Sequence, residues 1–193
     1  MKSFARQLFK YRGLIPIPFL ALMLFYFNGN KLSLLIGLIF ICIGELIRIW
    51  GVSYAGEITR TTIRLRADSL VTDGPYSFVR NPLYIGNIII IMGFSVFTMA
   101  LFPYFQIVSL TWFIFQYWLI IMLEEDFLRK KFGNEYENYR KNVPRFLPNI
   151  YKKKKYIGSG KLPDYQNAFR SETRTFQAIF SLGVISLIIY LVK

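Results

Sequence analysis

An uncharged run of 43 residues, from Asn81 to Leu123, constrains the fold of this 193-residue chain more than any other feature. It contains no Asp, Glu, Lys or Arg. A helix needs about 20 apolar residues to span a bilayer, so the run predicts two spans joined by a tight turn at Pro103. Only 18% of all residues are charged and 54% are apolar. A soluble domain carries roughly 25% charged residues, so the sequence predicts an integral membrane protein.

Three more apolar segments raise the expected number of spans to five. The predicted fold class is an all-α membrane protein with about five transmembrane helices in a single domain, residues 1–193. The predicted spans are about 14–27, 32–50, 84–102, 104–123 and 176–192. The amino-terminal stretch resembles a signal peptide but lacks a small-x-small cleavage site. We therefore expect it to stay as an anchor.

The distribution of Lys and Arg between the spans predicts the topology. Four cations precede the first span, four lie between the second and third, and thirteen lie between Glu124 and Thr175. The alternate turns carry only Lys31, no charge near Pro103, and Lys193. Since cytoplasmic loops carry the excess of Lys and Arg, we expect a cytoplasmic amino terminus and a carboxyl terminus on the opposite side.

The formal net charge of +13 indicates a lipid surface as partner and does not favour nucleic acid. Most of the excess lies in the expected cytoplasmic segments, and Lys152–Lys155 forms a compact basic run near the membrane. Such a run attracts anionic lipid headgroups. The chain has no histidine and one cysteine, Cys42, so we predict no metal site and no internal disulfide.

Two polar segments flank the predicted hairpin of the third and fourth spans. They read GPYSFVRNPLYIGN, residues 74–87, and EEDFLRKKFGNEYENYRKNVPRFLP, residues 124–148. Because the hairpin turn lies on the far side, both segments meet at the cytoplasmic ends, which brings Arg80 to Glu124 and Glu125. Arg80 could also be an anchor that extends to the headgroups. The glutamates could be solvated at the boundary and paired with Arg129 or Arg80, or one of them could hold a cationic or hydroxylated group of a ligand.

A further pair of charges, Glu45 and Arg48, lies one turn apart in the second span. The two side chains can pair with each other near the end of that span. They could also line the path of a substrate.

Together the two segments resemble the integral-membrane methyltransferases that include isoprenylcysteine carboxyl methyltransferases and phospholipid N-methyltransferases. The family pattern is roughly G-x-Y-x-x-x-R-H-P-x-Y-x-G, followed by E-E, F-G-x-x-Y-x-x-Y and R-x-x-P. The resemblance covers residues 70–148. The matching residues are Gly74, Tyr76, Arg80, Pro82, Tyr84, Gly86, Glu124, Glu125, Phe132, Gly133, Tyr136, Tyr139, Arg145 and Pro148.

The resemblance implies a cytoplasmic-side site for S-adenosylmethionine at the ends of the hairpin. It also implies a lipophilic acceptor that arrives from the bilayer, either a prenylcysteine-like carboxylate or a phospholipid amine. The catalytic residues it implies are Arg80, Arg145 and Glu125. The cofactor-binding residues it implies are Leu70, Val71, Gly74, Tyr76, Arg80, Asn81, Pro82, Tyr84, Glu124 and Glu125.

Asn81 departs from the family pattern, which has histidine at this position. Asparagine can donate and accept hydrogen bonds, so it can still position a cofactor. It cannot take up a proton near neutral pH, which excludes any mechanism that uses this side chain as a base. A carboxylate acceptor needs no base, whereas an amine must first lose a proton.

Two other functions remain open from the sequence. One is an NADPH-dependent membrane reductase with a fold like that of sterol reductases, which carry a similar R-H-P-x-Y stretch. Glu124 and Glu125 would repel that phosphate-rich cofactor. The other is a non-catalytic membrane subunit in which the motifs are only structural. The identity of the acceptor and the oligomeric state are equally open.

Overall fold

The computed structural model describes residues 2–56, 67–148 and 158–192, and every regular element in these ranges is helical. The predicted all-α class is confirmed. The basic run Lys152–Lys155 lies outside the described residues. The helices are α1 (Lys2–Tyr11), α2 (Pro16–Phe25), α3 (Lys31–Ala55), a 3₁₀ turn (Gly74–Ser77), α4 (Pro82–Thr98), α5 (Tyr104–Asn142) and α6 (Tyr165–Val192).

Three of the described helices, α3, α5 and α6, are long and apolar enough to cross a membrane. α4 is also apolar but has 17 residues, and α1 and α2 count as a fourth candidate if the bent pair is one span. The outward faces of the long helices carry exposed apolar side chains such as Leu35, Phe115 and Ile188. The chain is therefore an integral membrane protein. The five-span count, the single domain and the sidedness of the termini stay predictions.

The amino-terminal segment differs from the single span expected at residues 14–27. Residues Ser3–Tyr11 and Pro16–Phe25 form two helices that meet at an angle of 56°. α1 is amphipathic: it buries Ala5, Leu8 and Phe9, while Lys10 is exposed. Such a helix suits the membrane interface. The sequence pattern shows where this segment is apolar but does not predict the bend.

α3 and α4 pack closely through glycines that lie seven residues apart on each helix. A Cβ added to Gly44 would lie 2.8 Å from the Gly86 carbonyl oxygen, and one added to Gly93 would lie 2.9 Å from the Gly37 carbonyl oxygen. Small residues let two backbones approach each other within a membrane. One face of α4 is therefore fixed against α3, and its other face is left to build a site.

α5 is 39 residues long and carries the second motif on its extension beyond the predicted span 104–123. Gly133 interrupts the helix with φ 50° and ψ −120°, a conformation that glycine adopts without strain. The helix ends at Asn142, just before the Val143–Pro144 step that the sequence marks as its end. α6 begins at Tyr165, eleven residues before the predicted span, and Asp164 accepts a hydrogen bond from the Asn167 amide at its start.

Candidate active site

Glu125 joins the two motifs by accepting hydrogen bonds from two arginines. Arg80 donates to Oε1 from Nε at 3.1 Å and from Nη2 at 2.9 Å. Arg145 donates from Nε to Oε1 at 3.1 Å and from Nη2 to Oε2 at 2.6 Å. The side chains of Glu125 and Arg80 are each only 10% exposed. We call these three residues the Glu125 clamp.

Hydrogen bonds to backbone carbonyls also join the residues before α4 to residues 143–145, and we call this connection the strap. The Arg80 amide donates to the Pro144 carbonyl at 2.9 Å, and Arg80 Nη1 donates to the Val143 carbonyl. Asn81 Nδ2 donates to the Arg145 carbonyl at 3.2 Å. The hydrogen-bonded Glu125 carboxylate raises the pKa of Arg145. The geometry makes the Glu125 clamp a rigid junction of the two motifs.

Glu124 points away from the Glu125 clamp, because adjacent residues on a helix lie about 100° apart. It accepts a hydrogen bond of 2.6 Å from the Tyr84 hydroxyl. Arg12, from the corner between α1 and α2, lies with its Nη1 3.7 Å from Glu124 Oε1. The two glutamates, which the sequence could not tell apart, therefore make different contacts.

A cavity of about 1070 Å³ opens beside these residues. Drug-sized ligands occupy pockets of roughly 300–1,000 Å³, so the cavity can hold a large cofactor with part of a second molecule. Its polar end includes most residues of the predicted cofactor site. These are Leu70, Val71, Tyr76, Arg80, Asn81, Pro82, Tyr84, Glu124 and Glu125.

The other end of the cavity is apolar. α4 lines it with Ile90, Ile91 and Phe94, which continue the face that begins at Leu83 and Tyr84. α6 contributes a second row of lining residues that includes Ile179 and Leu182. Lining positions on both helices recur every three or four residues, as one helix face requires. The cavity thus joins a polar compartment at the motifs to an apolar compartment at the depth of the spans.

Two of the predicted site residues, Gly74 and Arg145, do not line this cavity. Gly74 has φ 59°, and a Cβ added to it would overlap the Tyr54 ring, so its contribution is the shape of the 3₁₀ turn. That turn is further held by Tyr139, whose hydroxyl donates to the Tyr76 carbonyl at 2.7 Å. Arg145 lies behind Glu125, with its guanidinium carbon 4.7 Å from the centroid of the Trp118 ring.

Several cavity residues were missing from the sequence-based prediction of the site. Arg12 and Glu172 come from the first and last segments, far from the motifs, and nothing in the sequence links them to the site. Asn87 had a signal, because it follows Leu83 by one turn within an otherwise apolar span. Tyr136 had one in its motif position. Tyr136 lines the cavity, and its buried hydroxyl finds no hydrogen-bond partner among the described residues.

The family model described as phospholipid methyltransferase matches residues 32–135. The chain belongs to the phospholipid methyltransferase family. The resemblance that the two motifs indicated is confirmed. The match includes α3, α4 and most of α5, whereas α1, α2 and α6 lie outside it.

Similar curated proteins include several named methyltransferases. The chain is 35% identical over 118 residues to protein-S-isoprenylcysteine O-methyltransferase of Schizosaccharomyces pombe, covering 58% of this chain and 48% of that protein. It is also 35% identical over 118 residues to the probable protein-S-isoprenylcysteine O-methyltransferase of Oryza sativa subsp. indica, covering 60% of this chain and 61% of that one. Methanethiol S-methyltransferase of Crocosphaera subtropica is 35% identical over 79 residues, 40% of this chain and 29% of the relative.

The chain spans about half to three-fifths of the length of the first two relatives. No solved structure matches it significantly.

Proposed function

We propose that the chain is a membrane methyltransferase that moves a methyl group from S-adenosylmethionine to a lipophilic acceptor. The observation that carries this proposal is a continuous cavity that runs from the two motifs to an apolar compartment between α4 and α6. A water-soluble cofactor fits the polar end and the tail of an amphiphile fits the apolar end. The acceptor would be a prenylcysteine-like carboxylate or a phospholipid amine, and it would enter from the bilayer. The names of the relatives and the family match support the proposal.

The polar end has chemical groups that suit S-adenosylmethionine. Glu124 offers a carboxylate to the cationic part of the cofactor, and Tyr136 lines the cavity with a buried hydroxyl whose hydrogen-bonding capacity is unused among the described residues. Leu70 and Val71 supply apolar wall, and Tyr76 an aromatic one. When bound, the cofactor supplies a methyl group that is already activated by its sulfonium. The protein then mainly has to orient the reactants and exclude water.

The Glu125 clamp is assigned a positioning role within this proposal. Arg80 and Arg145 were predicted to be catalytic together with Glu125, and the three side chains bond to one another. Their bonds fix the residues before α4 to the middle of α5 and to the segment after α5, which helps to position Asn81, Tyr84 and Glu124. A clamp of this kind keeps the polar end preorganised, so that less binding energy is lost on ordering it.

Binding of S-adenosylhomocysteine and of NADPH by the purified wild-type protein tests the proposal. We expect calorimetry to show S-adenosylhomocysteine binding and no NADPH binding. Glu124→Gln should weaken the S-adenosylhomocysteine affinity at least tenfold, about 1.4 kcal/mol. Glu137→Gln is the matched control, because Glu137 pairs with Arg129 and Arg140 outside the cavity.

Each other result assigns a different function. Binding of NADPH alone would replace the methyltransferase by a reductase. Binding of neither compound would leave a non-catalytic membrane subunit. We also expect the polar end to face the cytoplasm, with the carboxyl terminus on the opposite side. Labelling of single cysteines placed at each end of α6 in oriented vesicles checks that topology.

A further inference from the structure

A second cluster of charged and polar groups lies in the cavity wall, apart from the Glu125 clamp. It centres on Arg48 of α3, which donates from Nη1 to Asn87 Oδ1 and from Nη2 to Glu172 Oε2 at 2.6 Å. Arg48 Nη2 is also 3.5 Å from Thr175 Oγ1, and Arg48 Nε lies 3.4 Å from Glu45 Oε2. The Glu172 side chain is only 1% exposed. Ionisable groups at membrane depth are costly and are kept mainly where they have a function.

The position of this cluster within the cavity indicates which part of a ligand it meets. On α4, Asn87 lies one turn after Tyr84, which bonds to Glu124 in the polar end, and one turn before Ile90 and Ile91 in the apolar end. On α6, Thr175 likewise precedes Ile179 by one turn. The cluster therefore marks the border between the two compartments. An amphiphile with its tail in the apolar end places its polar group at this border.

The charges of the cluster indicate which polar groups it accepts. The positive charge of Arg48 faces two carboxylates, Glu45 and Glu172, so it is already offset. To bind Arg48, a ligand carboxylate would have to displace Glu172, and it would be repelled by the negative charge of that side chain. A hydrogen-bond donor or a cation would not be repelled by Glu172. The other cations of the wall outside the Glu125 clamp are Arg12, which faces Glu124, and the exposed Lys10, Lys161 and Arg174, which solvent screens.

We propose that Arg48, Asn87 and Glu172 form the binding site for the polar group of the acceptor, and that Glu172 makes this site prefer uncharged or cationic hydrogen-bond donors to carboxylates. This inference rests on the proposed function and deepens it, because it separates the two acceptor classes that the motifs leave open. Glu172 belongs to α6, outside the region matched by the family model. Acceptor choice is thus assigned to a helix that the matched core does not contain.

Matched short amphiphiles test the preference without any methyl transfer. Octylamine and octanoate each contain eight carbon atoms, and the apolar wall from Asn87 to Phe94 is seven residues, roughly 10 Å, long. Their dissociation constants are measured by calorimetry on the full-length protein in nanodiscs at neutral pH, with and without S-adenosylhomocysteine. The wild-type protein should bind octylamine at least tenfold more tightly than octanoate, about 1.4 kcal/mol.

Two nearly isosteric variants should shift that ratio in opposite directions. Glu172→Gln keeps an acceptor for Arg48 but removes a negative charge, so the preference for octylamine should fall at least tenfold. Asn87→Asp adds a negative charge beside Arg48, so the preference should rise. If Glu172→Gln does not fold, the ratio measured for Asn87→Asp tests the proposal by itself. Glu137→Gln, outside the cavity, should leave the ratio at its wild-type value.

Wild-type binding of octanoate as tightly as octylamine would overturn the proposal, and so would binding of neither amphiphile. The proposal would also be overturned if the ratio of the octylamine and octanoate affinities were the same in the wild type and in the folded variants. A separate titration with S-adenosylhomocysteine distinguishes the two levels of failure. If that compound binds and the ratio does not move, the assignment of the acceptor site is wrong and the methyltransferase stands. If that compound fails to bind, the proposed function itself is wrong.

Discussion

Removing the Glu125 carboxylate should mainly lower the stability of the protein, because this carboxylate is not assigned a direct contact with the cofactor. The carboxylate accepts four hydrogen bonds from Arg80 and Arg145, and these bonds connect α5 to the residue that precedes α4 by two positions and to the segment after α5. Glu125→Ala would leave two partly buried guanidinium groups without it. Breaking a buried ion pair costs about 3–5 kcal/mol. Since the Arg145 side chain is 26% exposed and keeps some water, we expect the lower end of this range.

For a chain of this size, about 3 kcal/mol corresponds to a Tm that is roughly 6–12 °C lower. Differential scanning fluorimetry in detergent measures this shift, and calorimetry measures the affinity for S-adenosylhomocysteine on the same samples. The matched variant is Glu124→Gln, which keeps an oxygen for the Tyr84 hydroxyl. It should leave the Tm within about 2 °C of wild type, the usual scale of a change well under 1 kcal/mol, while weakening ligand binding.

The opposite pattern would refute this reasoning. If Glu125→Ala abolished S-adenosylhomocysteine binding at an unchanged Tm, Glu125 would be a direct cofactor ligand. The hydrogen bonds to Arg80 and Arg145 would then contribute little to stability. If Glu124→Gln lowered the Tm as much as Glu125→Ala, the division of roles between the two glutamates would be wrong.

Three other variants have defined outcomes. Tyr136→Phe should leave the Tm unchanged and weaken S-adenosylhomocysteine binding several-fold, as calorimetry would show, because the buried hydroxyl has no partner in the described chain. Gly44→Ala should lower the free energy of unfolding by about 1–3 kcal/mol, and with it the Tm, because the added methyl group would crowd α4. Gly183→Ala should leave the Tm unchanged, because Gly183 has open space around it. Burial raises the pKa of Asp73, but hydrogen bonds from Ser159, Gly160 and Lys161 outweigh it and lower the pKa below 3.8. These contacts are therefore present at neutral pH and lost on acidification through that lowered pKa. The protection of the amides at 159–161 from hydrogen exchange should fall over the same pH range, and Asp73→Asn should abolish that change.

The meeting of Arg80 with the end of the fourth predicted span, where Glu125 lies, could be predicted from sequence because it follows from topology. Two spans joined by a short turn must have neighbouring ends, whatever their rotation. The division of roles between Glu124 and Glu125 could not be predicted, because it depends on how α5 is rotated about its own axis. Packing against α4 and the strap at residues 143–145 set that rotation, and neither leaves a periodic signal in the sequence.

Residues contributed by distant segments were equally beyond prediction. Glu172 reaches Arg48 across 124 positions of the chain, and the sequence suggested only that Arg48 pairs with Glu45 or lines a path. In the structure Arg48 lies against Glu45 and also on the cavity wall, while a substrate path along this wall stays a prediction. The bend between α1 and α2, which brings Arg12 to Glu124, had no sequence signal beyond Gly13 and Pro16.

Asn81 shows what the chain retains and what it gives up relative to the family pattern. Its side chain lies on the cavity wall and donates a hydrogen bond to the Arg145 carbonyl, a function that a histidine nitrogen could also perform. Asparagine keeps the donor but cannot accept a proton near neutral pH. An amine acceptor held at Arg48 and Glu172 must still lose a proton before it attacks a methyl group. Outside the Glu125 clamp, the carboxylates on the described cavity wall are Glu124 and Glu172. For such an acceptor, one of these two carboxylates would have to take up the proton, or the amine would have to lose it to water before it binds.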